Sequence, residues 1–199
     1  AIQTVKAALQ GVDGITKLIE QAKGLAASAR SATTTDRAAL ATQFNALRTQ
    51  IDQLAGDASY KGTNFLASGT LTVEFNEAGT SDLTISGFSA TTTGLSISAA
   101  AGSWATDTNV DAAVTQLDAA LTTLRSNAKT LASNNGVVTT RQEFTTELIS
   151  TLTSGADMLT AADSNEEGAN MLALQTRQQL GIVALQLSSQ AQQSVLRLF

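Results

Sequence analysis

Three residue types are missing from this 199-residue chain: cysteine, histidine and proline. Without cysteine there are no disulfides, and without His and Cys there is no zinc site built on those ligands, no haem, no iron–sulfur cluster and no Ser-His-Asp or Cys-His catalysis. Without proline, no residue is covalently prevented from continuing a long helix. Stability must therefore come from packing or from assembly with other molecules.

Charged and aromatic residues are also scarce, at 15% and 4% of the chain. Hydrophobic residues make up 43%, which is enough to bury a core. The net charge of −5 argues against nucleic acid as a main partner. The sequence contains neither an uninterrupted apolar run of membrane-spanning length nor the pattern of a secretory signal peptide.

Two helices are predicted in the first third of the chain. Apolar residues recur at intervals of three and four from Ile2 to Ala26, and a Thr-rich cluster ending at Asp36 supplies the cap of a second helix. The second helix carries a heptad seam that we expect to form core: Leu40, Phe44, Leu47, Ile51 and Leu54. The short connection predicts an antiparallel pair.

The middle of the chain changes to a period of two. Residues 71–75 and 83–86 alternate, which predicts a β-hairpin, and residues 95–97 are expected to form a third short strand. Trp104 is interpreted as a buried packing residue that anchors this region on the helices.

A long helix is predicted after Asp107. Its seam includes Leu117, Leu121 and Leu124, and we expect the sequence Asn134-Asn135-Gly136 to stop or distort it. If the helix continues from about residue 110 to 160, it is roughly 75 Å long, which implies a rod.

The last zone is predicted to be a helix that begins with acidic residues near Asp163 and is apolar on most sides. Such a helix must be buried on most sides, so we expect that it needs partner molecules or stays disordered until they arrive. Leu174, Ile182 and Leu185 share this pattern. The residues that we expect to carry assembly are Met171, Leu172, Leu180, Val183, Leu187, Val195, Leu196, Leu198 and Phe199.

Candidates for site chemistry are weak. Glu143 and Glu147 could act as an acid–base pair, but a solvated helix face is the favoured interpretation. Glu166 and Glu167 could bind a metal, although acids that stabilise a helix start explain them more simply. We therefore expect no catalytic, cofactor or metal site, and no enzyme activity. Ser and Thr in the middle zone could carry O-linked sugars, but a solvated loop is favoured.

Three segments resemble bacterial flagellin. Residues 165–181 and 190–199 are similar to the C-terminal signature of that family, and details of the tail resemble the short alphaproteobacterial members. Residues 57–66 resemble the motif that follows the second rod helix, with Lys61 in place of the usual Asn.

The resemblance implies a mainly α fold: an elongated antiparallel helical rod, the outer core, with a small β-hairpin region and a C-terminal inner-core helix. In this chain it implies N-terminal rod helices over 1–66, a hairpin and variable region over 67–108, a long C-terminal rod helix over 109–160 and an assembly helix over 161–199. The chain opens inside the first rod helix. The N-terminal inner-core helix is therefore expected to be missing, as in a fragment or processed form that cannot build a filament alone.

The function implied by the resemblance is that of a self-assembling structural subunit of the extracellular flagellar filament, serving motility and exported without a cleaved signal peptide. The implied partners are other flagellin subunits, the filament cap and hook-junction proteins, the type III export apparatus and an export chaperone, with no cofactor, nucleic acid or membrane insertion. A hook–filament junction protein and a flagellin-like adhesin are the alternatives.

One departure from the family concerns innate immunity. Flagellins that the vertebrate Toll-like receptor detects carry an Arg-x-Arg-Glu-Leu stretch in the first rod helix, and the matching positions here are Gln21, Lys23, Gly24 and Leu25. Because Gln cannot reproduce the planar five-donor fork of Arg, we predict weak or absent receptor activation.

Overall fold

A computed structural model of the chain describes residues 1–161 and 163–197, apart from the side chain at position 196. The described residues form a mainly α fold with long helices and one small antiparallel sheet, which confirms the predicted fold class. In chain order the helices and strands are α1 (Ile2–Arg30), α2 (Thr34–Asp57), β1 (Thr70–Glu74), β2 (Asp82–Ser86), α3 (Asp107–Thr160) and α4 (Ser164–Leu196), with a short 3₁₀ segment at Ala101–Trp104.

The chain divides into two units, Ala1–Thr145 and Thr146–Phe199. The first unit holds the hydrophobic core, to which α1, α2, the hairpin region and the first part of α3 contribute. The apolar residues of the second unit that the structure describes are exposed. No described helix has the length and hydropathy needed to cross a membrane.

The connection between α1 and α2 is a capped turn, as predicted. The Thr33 hydroxyl accepts a hydrogen bond from the Asp36 backbone N–H and donates one to the Asp36 carboxylate, which fixes the start of α2. Gly11 of α1 packs closely against residues that follow α2. A Cβ added at Gly11 would lie 2.6 Å from Leu66 Cδ1 and 2.8 Å from Ala58 Cβ, so a larger residue has no room there.

A tight turn follows α2. The backbone groups of Tyr60 and Thr63 bond each other in both directions, at 2.9 and 3.1 Å. Lys61 and Gly62 between them have φ values of 49° and 81°. Both are in the left-handed region, which Gly and Asn adopt most readily. Lys61 is therefore an unfavourable residue for its backbone conformation.

The first part of α3 runs antiparallel to α1. Lys23 Nζ contacts Asp118 Oδ1 at 2.6 Å, and Arg30 pairs with Asp111. The residue number of the α1 partner therefore rises as that of the α3 partner falls. The seam of α3 buries a row of apolar side chains against the core: Val110, Leu117, Leu121, Leu124, Leu131 and Val138.

Of the two outcomes expected for residues 134–136, a stop of the long helix is wrong, because α3 continues from Asp107 to Thr160. Gly and Asn each cost a helix only about 0.5–1 kcal/mol relative to Ala. Leu131 and Val138, one on each side of the Asn-Asn-Gly sequence, are both buried in the core. Burial of those side chains outweighs the low helix propensity between them.

The predicted hairpin is confirmed. Leu71 pairs with Ile85 and Val73 with Leu83 on the face that packs against the core. The predicted third strand at 95–97 is wrong, because residues 92–96 form a turn. Leu95 and Ile97 are nevertheless buried. The alternation of apolar residues there is therefore not that of a strand. It belongs to a loop that places the side chains of Leu95 and Ile97 in the core.

Trp104 packs as predicted. Its ring is fully buried, and its centroid lies 4.9 Å from that of Phe44 on α2, with the two planes tilted by 49°. This contact attaches the end of the irregular middle region to the helical pair.

Candidate assembly surface

Helix α4 is fixed at its start by charged and polar side chains, as the sequence predicts. Asp163 is the N-cap, and its carboxylate accepts a hydrogen bond from the Asn165 backbone N–H at 2.9 Å. Glu166 and Glu167 lie in the first turn, where carboxylates interact favourably with the positive end of the helix dipole. The absence of proline then allows 33 uninterrupted helical residues.

Large apolar side chains of α4 are exposed around its whole circumference. At about 100° per residue, Met171 and Ile182 share one side, Leu172 and Val183 lie about a quarter turn away, and Leu180 lies opposite Met171. Nine described side chains of this kind are 52–72% exposed: Met171, Leu172, Leu174, Leu180, Ile182, Val183, Leu185, Leu187 and Val195. No side of the helix is therefore without a large apolar group.

Few charges oppose burial of this surface. After the two acids of its first turn, Arg177 is the only charged residue before the helix ends, and the polar positions between are mostly Gln and Ser. Neutral side chains cost much less to remove from water than charges do. With more than half of each apolar side chain exposed, complete burial would contribute roughly 1–2 kcal/mol per residue.

Six of the residues assigned to assembly from the sequence lie on this surface: Met171, Leu172, Leu180, Val183, Leu187 and Val195. Leu198, Phe199 and the side chain of Leu196 lie outside the described residues. Leu174, Ile182 and Leu185 belong to the same surface by their exposure.

The assembly set chosen from the sequence did not include the end of α3. Within residues 146–160, five large apolar side chains are exposed: Leu148, Ile149, Leu152, Met158 and Leu159. The last two are 82% and 89% exposed. Leu148, Leu152 and Leu159 recur at helical spacing, so their periodicity was visible in the sequence, but it equally fits a residue that packs within its own chain.

The residues predicted to form the rod core occupy the first unit. Phe44, Ile51, Leu117 and Leu124 are fully buried, and Leu121 is nearly so. The remaining three, Leu40, Leu47 and Leu54, are partly buried and packed against the same core. The two sets therefore differ sharply in exposure, with core residues inside the first unit and apolar α4 residues facing solvent.

The four positions that match the receptor-binding stretch lie on α1. Gln21 and Gly24 are exposed, whereas Lys23 and Leu25 are partly buried. The Lys23 ammonium donates a hydrogen bond to Asp118 of α3, so its charge is already paired.

Acidic side chains do not cluster in the described part of the chain, where no three of them lie close enough to share a metal ion. Glu143 and Glu147 are both exposed on α3. This geometry fits a solvated helix face.

Known proteins share sequence similarity with this chain. Residues 1–70 match the family model described as the bacterial flagellin N-terminal helical region. Flagellin FljM of Caulobacter vibrioides is 32% identical over 200 residues, an alignment that covers 98% of this chain and 72% of FljM. Flagellin C of Rhizobium meliloti is 40% identical over 68 residues, but there the chain spans only 21% of the relative's length.

The fold agrees with these sequence relationships. The crystal structure of Bacillus cereus flagellin superimposes with a TM-score of 0.57 at 19% identity, covering 68% of this chain and 80% of that one. The alignment to FljM, which is 32% identical and covers 72% of that protein, shows with the match of residues 1–70 that the chain belongs to the bacterial flagellin family.

Proposed function

We propose that this chain is a structural subunit of the flagellar filament that serves swimming motility, and that α4 is its main assembly surface. Flagellins are structural proteins and not enzymes. The observation that carries the proposal is the exposure of nine large apolar side chains around all sides of α4. A helix that is apolar on all sides is normally buried on all sides, and several neighbours are needed to cover it.

Other flagellin subunits are the partners that this surface fits best. A single neighbouring helix would cover one stripe of α4 and leave the opposite side exposed, for example Leu180 if the neighbour packs on Met171. Several copies arranged around one another cover every side, and a filament provides that arrangement. Contacts repeated in every subunit also multiply a burial energy of about 1–2 kcal/mol per side chain.

The proposal also covers the roles of the chain's segments, the further partners and the route of export. We assign residues 1–66 and 109–160 to the rod, 67–108 to a short hairpin and variable region and 161–199 to assembly. The filament cap, the hook-junction proteins, the type III export apparatus and an export chaperone are further partners. The subunit leaves the cell without a cleaved signal peptide. The absence of cysteine supports passage of an unfolded chain, because no disulfide has to form before or after export.

Weak detection by the vertebrate Toll-like receptor is also part of the proposal. Gln21 and Gly24 lack the charges of the Arg and Glu in the detected stretch, and Lys23 is paired with Asp118. A receptor reporter assay that gave strong signalling would contradict this assignment.

The relatives named above are flagellins, and none of the observations favours a hook–filament junction protein or an adhesin.

The experiment compares attachment of the chain to preformed filament seeds with the stability of its first unit. Leu180→Gln should greatly reduce co-sedimentation with the seeds and leave thermal unfolding of the first unit unchanged. Thr80→Gln, on the exposed hairpin turn, is the matched surface control and should co-sediment like the unmodified chain. Equal co-sedimentation of the two variants would contradict the proposal, as would a failure of the unmodified chain to attach.

A further inference from the structure

The irregular segment 91–105, which we call the strap, is attached to α2 by side chains. The Asp52 carboxylate accepts hydrogen bonds from the backbone N–H of Thr92 at 2.6 Å and from its hydroxyl at 3.0 Å. Arg48 Nε donates to the Ile97 carbonyl at 3.1 Å. No strand ladder joins these residues to the rest of the described chain.

The second half of the strap is held in the same way. The Asn45 amide oxygen accepts from the Ala100 N–H at 3.1 Å, and the Gln116 amide oxygen of α3 accepts from the Ser98 N–H at 2.9 Å. Each of these attachments is a single side-chain contact to the helices. The strap can therefore separate from the helices without breaking any hydrogen bond inside them.

The end of the strap adopts an unfavourable backbone. Gly102, Ser103 and Trp104 have φ values of 52°, 51° and 57°, so three successive residues are left-handed. For a residue with a Cβ this conformation lowers the population by about fivefold to thirtyfold relative to the right-handed one. Ser103 and Trp104 both carry that penalty.

Burial of the Trp104 ring opposes the strain. The ring is fully buried against Phe44, and its Nε1 is buried without a hydrogen-bond partner among the described residues. A buried donor without a partner is itself unfavourable, and it regains a hydrogen bond to water when the ring leaves the core. The closed strap is thus held by the burial of Leu95, Ile97 and Trp104. It is weakened at Trp104 by the left-handed backbone and by the indole N–H that has no hydrogen-bond partner.

We propose that the strap is a latch that opens as a local unit while α1, α2 and α3 remain folded. On opening, Leu95 and Ile97 leave the core, the Trp104 ring leaves Phe44, and residues 102–104 relax to right-handed backbone. The movement uncovers the apolar side of α2 around Phe44. Proteins open locally at free energies below that of global unfolding, in units that are often single structural segments. This inference is independent of filament assembly and concerns the single chain.

The test uses the only tryptophan of the chain, which lies in the strap. Trp104 fluorescence and its quenching by acrylamide report the strap, and circular dichroism at 222 nm reports the helices. In a urea titration of the full chain, we expect the fluorescence transition to precede loss of helix. Amide hydrogen exchange at Ile97 and Ala100 should likewise be faster than at Leu117 and Leu124.

Two glycine variants separate the latch from ordinary loop flexibility. Ser103→Gly removes the left-handed penalty and should reduce opening about fivefold. Ser98→Gly is the matched control, since Ser98 is an exposed strap residue whose φ is not positive. It should increase opening, because glycine adds conformational entropy to the open state. Coincident fluorescence and dichroism transitions in the unmodified chain would overturn the proposal. An increase in opening for Ser103→Gly equal to that for Ser98→Gly would also overturn it.

Discussion

Arg37 joins three helices, and we expect its removal to cause a measurable loss of stability. The residue lies in the first turn of α2, and its side chain is only 14% exposed. Its guanidinium donates to the carbonyl of Arg30, the last residue of α1, at 3.0 Å and to that of Ala32, in the turn after it, at 3.2 Å. It also contacts the carboxylate of Asp107, the first residue of α3, at 2.7 Å.

The magnitude follows from these contacts. A hydrogen bond to a charged group contributes about 1.5–3 kcal/mol, but the two carbonyls lie at a helix end where water can replace the guanidinium in part. Asp107 is 70% exposed, so its ion pair adds less than about 1 kcal/mol. We therefore expect Arg37→Ala to lower the free energy of unfolding by about 2–3 kcal/mol, which corresponds to a midpoint about 4–12 °C lower.

The assay is thermal unfolding followed by circular dichroism, with two further variants. Arg37→Lys retains the charge near Asp107 but not the planar fork, so we expect an intermediate loss. Arg125→Ala removes an exposed arginine of α3 and should change stability by less than about 0.5 kcal/mol. If Arg37→Ala unfolds at the same temperature as Arg125→Ala, the reasoning about the three-helix junction is refuted.

Three further predictions follow from single positions. Lys61→Asn should stabilise the chain by about 0.5–1 kcal/mol, because Asn tolerates the left-handed backbone there, and urea unfolding measures the gain. Leu124→Ala should lower the free energy of unfolding by about 2–5 kcal/mol, whereas Leu152→Ala, at an exposed position, should change it by less than about 0.5 kcal/mol in the same titration. The hydrogen bond to Asp13 and the attraction of that carboxylate raise the pKa of Lys17 above its ordinary value of 10.5. The stability from this pair is therefore fully present below pH 10.5 and is lost as the pH rises through the pKa of the folded state. An NMR titration in which Asp13→Asn left the pKa of Lys17 unchanged would disprove the last of these.

The regular elements could be predicted from the sequence because periodicity and caps act locally. The seam of α2, the Thr33 cap and the Asp163 cap each depend on residues within one or two turns. The same local rules failed at Asn134-Asn135-Gly136, where the core contacts of Leu131 and Val138 override a weak propensity. Tertiary burial is not visible in a short window of sequence.

The strap could not be predicted for the same reason. Its conformation depends on side chains that lie far away in the chain, such as Asp52 and Gln116, and on left-handed backbone at Ser103 and Trp104. Neither residue is a type that indicates a left-handed turn. The apolar alternation at 95–97 consequently resembled a strand, although the chain turns there.

The apolar character of α4 was evident from the sequence, and the structure adds its exposure. A helix that is apolar on all sides can belong to a protein core or to an interface, and composition alone does not distinguish the two. The exposure of Leu180, Val183 and Leu187 favours the interface.

The central claim, that α4 becomes buried between subunits, can be tested by single-cysteine labelling, because the chain has no native cysteine. Val183→Cys, on α4, and Thr80→Cys, on the exposed hairpin turn, are labelled with a maleimide in the free chain and in filaments that contain it. We predict that both sites react in the free chain and that only Val183→Cys becomes protected in the filament. Equal reactivity of Val183→Cys in the two states would contradict the role assigned to α4.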